Sequence, residues 1–154
     1  MASCEEDRLA DTDAGPAKEG LVTEQIVIGL DHVQLAMPPD QEDGAERFYG
    51  GILGFDVVPK PAHLAVRGGC WFESHSVKVH LGVEADFTPA RKAHPAFVVS
   101  NLRKLEDRFN AAGVTIVWDT QISGFERFYA ADPFGNRLEF MQRVAGPTTG
   151  GDAG

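Results

Sequence analysis

The sequence is poor in cysteine, in basic residues and in long apolar runs. Its 154 residues include only two cysteines, too few for the disulfide framework of a small secreted domain, which predicts a reducing, cytoplasmic location. Lysine and arginine number 14 against 23 aspartates and glutamates, and a net charge of -9 repels nucleic acid and anionic lipid. No stretch approaches the roughly 18 consecutive apolar residues of a membrane span. We therefore expect neither nucleic-acid nor membrane binding.

What the chain does contain is enough apolar sequence for one core. Hydrophobic residues make up 43% of it, and 154 residues is the length of one ordinary domain. Residues 1–24 and 145–154 are rich in small and acidic residues and show no apolar period, which is typical of disordered tails. The sequence predicts a single domain over residues 25–144.

The first half of this domain is predicted to contain a strand, a helix and three more strands. Residues 26–37 are mostly apolar with polar interruptions, which indicates a largely buried strand. A helix follows, because apolar residues recur at helical spacing up to a glycine that can end it, namely Ala45, Phe48, Tyr49, Ile52 and Gly54. Further strands are predicted at residues 55–58, 64–72 and 77–83. We call residues 25–84 module one.

The second half repeats this order over residues 94–144, which we call module two, after a linker at 85–93. A strand at 94–100 is followed by Asn101 as a helix N-cap, and the helix has a buried stripe that a glycine ends, formed by Leu102, Leu105, Phe109, Ala112 and Gly113. The remaining strands are predicted at 114–118, 125–130 and 137–142, with a turn at 132–136. The fold class is therefore α+β, with two βαβββ modules.

Candidate metal ligands recur at nearly the same spacing in the two halves. His80 follows His32 by 48 residues and Glu139 follows His94 by 45, and each lies in a short strand-like run. Imidazole and carboxylate together bind Zn, Ni, Mn or Fe, whereas a structural zinc site would normally include thiolates. This repetition indicates duplicated modules that share one divalent-metal site.

Several phrases of the sequence resemble one known family. LDHVQLAM, FYGGILGF, VKVHLGVE, HPAFVV and above all FYAADPFGNRLEFMQ are similar to the vicinal oxygen chelate superfamily, which includes glyoxalase I, fosfomycin and bleomycin resistance proteins and extradiol dioxygenases. The resemblance covers about residues 29–142. It implies curved mixed sheets around a shared cleft, with metal ligands from the first and last strand of each module. Those ligands fall on His32, His80, His94 and Glu139.

The resemblance implies a glyoxalase-like lyase or isomerase, in which Glu139 or His80 moves a proton on a small substrate that chelates the metal through adjacent oxygens. One departure keeps other activities open, because glyoxalase I enzymes generally have a carboxylate where this chain has His80. Without His80, the set His32, His94 and Glu139 also supports extradiol-type dioxygenation by Fe(II). A third alternative is a non-catalytic protein that binds a drug or metabolite in its cleft.

Strand alternation also predicts which side chains meet the substrate. Four polar residues lie two positions from a ligand or on a neighbouring strand and suit an anionic substrate, although Arg67 and Lys78 could equally face solvent: Gln34, Arg67, Lys78 and Arg137. Five aromatic residues are either cleft walls or core: Trp71, Phe72, Trp118, Phe128 and Tyr129. The resemblance also implies a homodimer, and leaves open whether each metal site lies within one chain or across two.

Overall fold

Two four-stranded sheets, one from each half of the chain, form the part that this computed structural model describes, residues 24–144. The predicted tails at 1–24 and 145–154 lie outside the described residues apart from Glu24. The elements are β1 (Val33–Met37), α1 (Glu42–Ala45) with a π-helical continuation (Glu46–Ile52), β2 (Asp56–Val58), α2 (Ala62–Ala65), β3 (Trp71–Ser74), β4 (Val77–Val83), β5 (Ala96–Val98), α3 (Leu102–Ala111), β6 (Ile116–Asp119), β7 (Phe125–Ala131) and β8 (Arg137–Arg143).

The two sheets have the same topology. Their strand orders are β1-β4-β3-β2 and β5-β8-β7-β6, so the first and last strand of each half are parallel neighbours and the remaining pairs are antiparallel. This arrangement confirms the predicted α+β fold with two modules. It also leaves β1 and β5 each at a sheet edge, paired on one side only.

The core lies between the sheets, where the helices of the two modules meet. Phe48 from the first helix stacks on Phe109 of α3 with ring centroids 5.9 Å apart, and Phe109 packs edge-on against Phe128 and Phe140 of the second sheet. One cluster of buried residues includes apolar side chains of both modules. The helical faces of the sheets therefore point toward each other, and their opposite faces point away.

Helix α3 forms for the reasons that the sequence indicates. The Asn101 side chain accepts a hydrogen bond from the backbone N–H of Lys104 at 2.8 Å, which caps the first turn. Leu102, Leu105 and Phe109 are buried, as their spacing predicts. No helix within residues 24–144 has both the length and the apolar character that crossing a membrane requires.

The prediction of a largely buried strand over residues 26–37 is wrong for its first part. Regular strand structure begins at Val33, and the preceding residues 24–32 follow no helix or strand pattern. Four of their apolar side chains are exposed, namely Ile26, Val27, Ile28 and Leu30. Apolar sequence indicated burial correctly only where β4 lies alongside, because no neighbouring element covers the residues before it.

The predicted strand at 64–72 is also wrong, because this stretch is a short helix, α2, followed by a turn into β3. Gly68 and Gly69 make this turn with positive φ angles of 69° and 80°. A Cβ atom at Gly69 would lie 2.2 Å from the carbonyl oxygen of Leu81, so the close approach to β4 requires glycine there. The other predicted strands are present, and β5 is shorter than the predicted 94–100.

The turn at 132–136 joins the two modules. The buried carboxylate of Asp132 accepts hydrogen bonds from the Tyr49 hydroxyl at 2.9 Å, from the backbone N–H groups of Phe134 and Asn136, and from the Asn136 side chain. Asn136 in turn donates to the carbonyl of Ala36 in β1 at 2.8 Å. Burial and the charge of Asp132 raise the pKa of Tyr49 well above its ordinary value, so Tyr49 remains a donor.

Substitution of Asp132 should therefore destabilise the whole domain. Asp132→Asn keeps the shape but turns one acceptor oxygen into a donor facing other donors, and we expect a loss of about 3 kcal/mol in the free energy of unfolding. Urea denaturation at pH 7 measures the loss. Asp107→Asn, on the exposed face of α3, is the matched control and should change stability by no more than about 0.5 kcal/mol.

Candidate metal centre

Each sheet has a polar face on the side away from the helices. The first polar face carries side chains of β1, β3 and β4 and of the residue before β1, namely His32, Gln34, Trp71, Lys78 and His80. The second polar face carries side chains of β7 and β8 and of the residue before Pro95, namely His94, Arg127, Tyr129, Arg137 and Glu139. Strand register sets both groups, because Gln34 and Trp71 flank His80, and Tyr129 lies directly opposite Glu139.

His94 and Glu139 form the closest pair on the second polar face. His94 Nδ1 lies 2.6 Å from the carbonyl oxygen of Lys92, which can only accept, so Nδ1 carries a proton. Its other nitrogen, Nε2, faces Glu139 Oε2 at 3.1 Å. A lone pair on Nε2 would repel the carboxylate oxygen, so the contact needs a positive charge between the two atoms, either a second proton or a metal ion.

The distance suits a metal ion. Nitrogen and oxygen ligands at about 2.1 Å from a metal lie roughly 3 Å from each other. The Nδ1–H group that binds a carbonyl and leaves Nε2 free is also the arrangement that metal-binding histidines normally have. His94 and Glu139 therefore fit two positions of a metal site.

Arg127 forms an ion pair with the other carboxylate oxygen of Glu139, Oε1. The sequence analysis did not predict Arg127 as a site residue. Its guanidinium donates to Glu139 Oε1 at 2.7 Å and to the Tyr129 hydroxyl at 2.9 Å, and it pairs with Asp119 at 3.1 Å. Burial would raise the pKa of Glu139, but the hydrogen bonds from Arg127 and His94 outweigh it and lower this pKa. Strand alternation could have found Arg127, because it lies two residues from Tyr129 on the same face.

Arg137 adds a second cation to this face. Its guanidinium lies over the ring of Tyr129, 3.9 Å from the centroid, and Tyr129 lies opposite Glu139 in the strand register. Its Nε atom is buried and, among residues 24–144, has no hydrogen-bond partner. The second polar face therefore combines two carboxylates, Glu139 and Asp119, with two arginines, of which Arg127 pairs with both carboxylates and Arg137 lies over Tyr129.

The first polar face has a stack of three rings. Trp71 lies against His80 with centroids 4.2 Å apart, and His80 lies against His32 at 4.3 Å. Asp31 accepts from His32 Nδ1 at 3.0 Å and from Lys78 at 3.1 Å, which leaves His32 Nε2 free. Burial and the neighbouring His32 lower the pKa of His80, so its neutral form is favoured.

The structure brings the four predicted metal ligands together as two pairs, His32 with His80 and His94 with Glu139. Within residues 24–144 of one chain, no three His, Cys, Asp or Glu side chains are close enough to hold one ion. An open cleft of about 1290 Å³ runs between the edges of β1 and β5 and includes His32 and His94 in its lining. We call the pair His32 and His80 the first half-site and the pair His94 and Glu139 the second half-site, as names for two candidate ligand pairs.

The predicted substrate-contacting residues are placed differently from one another. Gln34 and Lys78 line the cleft beside the first half-site, and Arg137 lies beside the second. Arg67 lies in the turn after α2 with its side chain exposed, away from both half-sites, because the predicted strand there is absent. Among the five aromatic residues, Trp71 and Tyr129 are on polar faces, and the other three pack in or against the core: Phe72, Trp118 and Phe128.

The lowered pKa of Glu139 predicts a pH-dependent contribution to stability. A depressed carboxyl pKa stabilises the fold above the ordinary value of about 4.3 and loses that effect as pH falls through the folded-state pKa. Wild type should therefore be more stable than Glu139→Gln at pH 7, and the gap should shrink at pH 3.5. Thermal unfolding at both pH values measures this, with Glu126→Gln, an exposed carboxylate on β7, as the control without such a gap.

Comparison with known sequences gives the family of this chain of two βαβββ modules. The profile of the Glyoxalase/Bleomycin resistance protein/Dioxygenase superfamily matches residues 29–140. The chain therefore belongs to this superfamily, which confirms the resemblance. The comparison with proteins of curated function found no match.

Solved structures agree with this assignment. A protein assigned to the glyoxalase family from Bacillus anthracis is 41% identical, with a TM-score of 0.76 over 79% of this chain and 100% of that protein. The fosfomycin resistance protein FosX from Listeria monocytogenes is 15% identical (TM-score 0.62, 77% and 96% covered). The antibiotic binding protein TnmS3 from Streptomyces sp. CB03234 is 16% identical (0.60, 79% and 100%). The last two share the fold alone.

Proposed function

We propose that this protein is a metal-dependent, glyoxalase-like lyase or isomerase that acts on a small organic substrate with two neighbouring oxygens. The observation that supports this proposal is the contact between His94 Nε2 and Glu139 Oε2 at 3.1 Å, because a metal ion bound by both atoms would satisfy it as well as a shared proton does. His32 has the same hydrogen-bonding arrangement as His94, because its Nδ1 binds Asp31 and its Nε2 is left free to bind a metal. The proposed ligands are His32, His80, His94 and Glu139.

Each complete site would take ligands from two chains. The two half-sites belong to different modules, and within residues 24–144 of one chain no three His, Cys, Asp or Glu side chains are close enough to hold one ion. A homodimer in which module one of one copy meets module two of the other would unite His32 and His80 with His94 and Glu139. The unpaired edges of β1 and β5 lie beside the half-sites and are available for this contact.

The bound metal, Glu139 and His80 would have different roles in this reaction. A bound divalent ion such as Zn, Ni, Mn or Fe supplies a Lewis acid that stabilises negative charge on the substrate oxygens. Glu139 has both oxygens engaged, by Arg127 and His94, and is a poor proton acceptor. His80 has ring-face contacts with Trp71 and His32, which leave its nitrogen edge available for one of two alternative roles, that of fourth metal ligand or that of the group that accepts and returns a proton.

Metal binding provides the first test of this function. His94→Ala removes one donor of the pair, so we expect the affinity of the purified protein for Zn or Mn, measured by titration calorimetry, to fall by at least about 100-fold. His75→Ala, in the exposed turn between β3 and β4, is the control and should bind as wild type. Wild-type protein that binds neither Zn, Ni, Mn nor Fe would refute the metal centre.

Arg137 provides a test of substrate charge. If the substrate carries a carboxylate or another anionic group, Arg137→Met should raise KM by about 10-fold to 100-fold, because a charge-assisted hydrogen bond contributes about 1.5–3 kcal/mol. Arg103→Met is the matched control, since Arg103 also lies over an aromatic ring, that of Trp118, but on the helical side. Equal KM values for wild type and Arg137→Met would exclude an anionic partner for this residue.

A second candidate function is metal-free binding of a small organic molecule. The ion pair between Arg127 and Glu139 favours it, because an internal cation already neutralises the carboxylate. In that case protein treated with a chelator should bind its ligand as tightly as untreated protein. For the metalloenzyme, chelation should abolish turnover and weaken substrate binding, and restored metal should reverse both effects.

A further inference from the structure

Glu139 lies between two side chains that approach it from opposite sides of its strand. β8 pairs with β5 on one side and with β7 on the other. His94, two residues before β5, reaches Glu139 Oε2 at 3.1 Å, whereas Arg127 of β7 donates to Oε1 at 2.7 Å. The two carboxylate oxygens therefore have different neighbours, an imidazole that lines the open cleft and a buried guanidinium.

The guanidinium of Arg127 is held at three points. Its Nη1 atom donates to Glu139 Oε1 and to the Tyr129 hydroxyl, and its Nη2 atom pairs with Asp119 Oδ2 at 3.1 Å. Asp119 is itself fixed, because its Oδ1 atom accepts from the backbone N–H of Gln121 at 2.8 Å. Arg127 is only 8% exposed, so its charge would be buried without partners if it left these acceptors. The contact with Oε1 is therefore built into the fold.

An arginine that keeps Oε1 occupied leaves Glu139 a single oxygen for a cation, Oε2. A carboxylate with two free oxygens can bind a metal ion through both, and each oxygen then fills one coordination position. An octahedral ion such as Mn has about six such positions. If each of the four proposed ligands fills one position, two remain open. Two open positions are what a substrate with two neighbouring oxygens needs.

We infer that Arg127, anchored by Asp119, is a positioning residue that restricts Glu139 to binding the metal through Oε2 alone. This inference rests on the proposed function, because it assigns Arg127 and Asp119 a role toward the same metal site. Arg127 acts only through Glu139 and not by contact with the metal or the substrate. The position that Oε1 would otherwise fill stays open for the second oxygen of the substrate.

The same network controls how tightly the site holds its metal. Arg127 shares its positive charge between two carboxylates, those of Asp119 and Glu139. Removal of Arg127 would return the second oxygen and the full charge of Glu139 to the metal. Removal of the Asp119 charge would leave Glu139 as the one charged partner of Arg127. The two changes should therefore shift metal affinity in opposite directions, whereas a purely structural role predicts a loss in both.

Titration calorimetry with Mn tests this opposition. We expect Arg127→Met to bind Mn about 10-fold more tightly than wild type, because the metal no longer competes with a charge-assisted hydrogen bond for Glu139. Asp119→Asn should bind Mn about 10-fold more weakly, because the remaining ion pair with Arg127 becomes stronger.

Two control variants separate this effect from a general change of charge. Arg137→Met removes a positive charge from the same face, but Arg137 lies over Tyr129 and not on Glu139. Glu126→Gln removes a negative charge from β7 at the position next to Arg127, on the opposite face of the sheet. Both controls should bind Mn within about 3-fold of wild type, because charges at a distance are screened.

The visible absorption of bound Co(II) provides a second readout, because its bands weaken as the coordination number of the ion rises. In Arg127→Met the freed Oε1 of Glu139 adds one ligand, so its Co(II) bands should be weaker than those of wild type. Arg137→Met should give the wild-type spectrum. A change in packing alone would not alter the number of ligands.

The outcomes distinguish this inference from the proposed function. Tighter Mn binding and weaker Co(II) bands in Arg127→Met than in wild type support both. Mn binding by wild type that Arg127→Met does not exceed overturns the role of Arg127 and leaves the metal centre in place. Binding of metal by Arg127→Met alone supports the restriction of Glu139 and refutes the metalloenzyme. Binding by neither protein overturns both.

Asp119→Asn guards against misfolding of the variant that lacks the buried arginine. It keeps the ion pair between Arg127 and Glu139, so we expect it to fold, which circular dichroism checks. Its weaker Mn binding therefore supports the inference even where Arg127→Met does not fold. Equal Mn affinities for Asp119→Asn and Glu126→Gln would contradict it.

Discussion

The buried carboxylate of Asp132 fixes how the two modules sit in one chain. It receives the Tyr49 hydroxyl from the first helix and the amide of Asn136, which also donates to the backbone of β1. A buried charge is tolerated only when its acceptor positions are filled, so these donors must stay in place together. These hydrogen bonds connect the turn at 132–136 to the first helix and to β1 of module one. The contact between Phe48 and Phe109 is a second connection between the two modules.

The way the two modules are connected separates the two candidate ligand pairs within one chain. Because the helices of both modules face the common core, each module keeps its polar face on the other side of its own sheet, and each face carries one of the two candidate ligand pairs. The halves are not equivalent. The first consists of stacked rings beside Asp31, whereas in the second Arg127 already holds the carboxylate of Glu139. A site assembled from both pairs would therefore have stacked aromatic rings on one wall and the Arg127–Glu139 ion pair on the other.

The sequence predicted those features whose signals are local. Helix α3 could be predicted because Asn101 and the Leu102, Leu105, Phe109 stripe lie within ten residues of each other, and the close pairs His32/His80 and His94/Glu139 because neighbouring strands carry them. Two other features depend on partners that the pattern does not contain. Apolarity predicted burial of the segment before β1, but Ile26, Val27, Ile28 and Leu30 are exposed because no described element covers them. Strand alternation places Arg127 on the face of Tyr129, but its ion pair with Glu139 could not be predicted from spacing because Glu139 lies on the neighbouring strand.

The ring stack on module one places a fluorescent side chain, Trp71, against a candidate ligand, His80. Of the two tryptophans, Trp118 donates its indole N–H to Glu106 and packs against Phe128, while Trp71 lies flat on His80. An imidazole in face contact with an indole alters the emission of that indole when its charge or coordination changes. A change in the fluorescence emission of Trp71 should therefore report metal binding or protonation at the first half-site. Such a measurement needs neither a label nor the natural substrate.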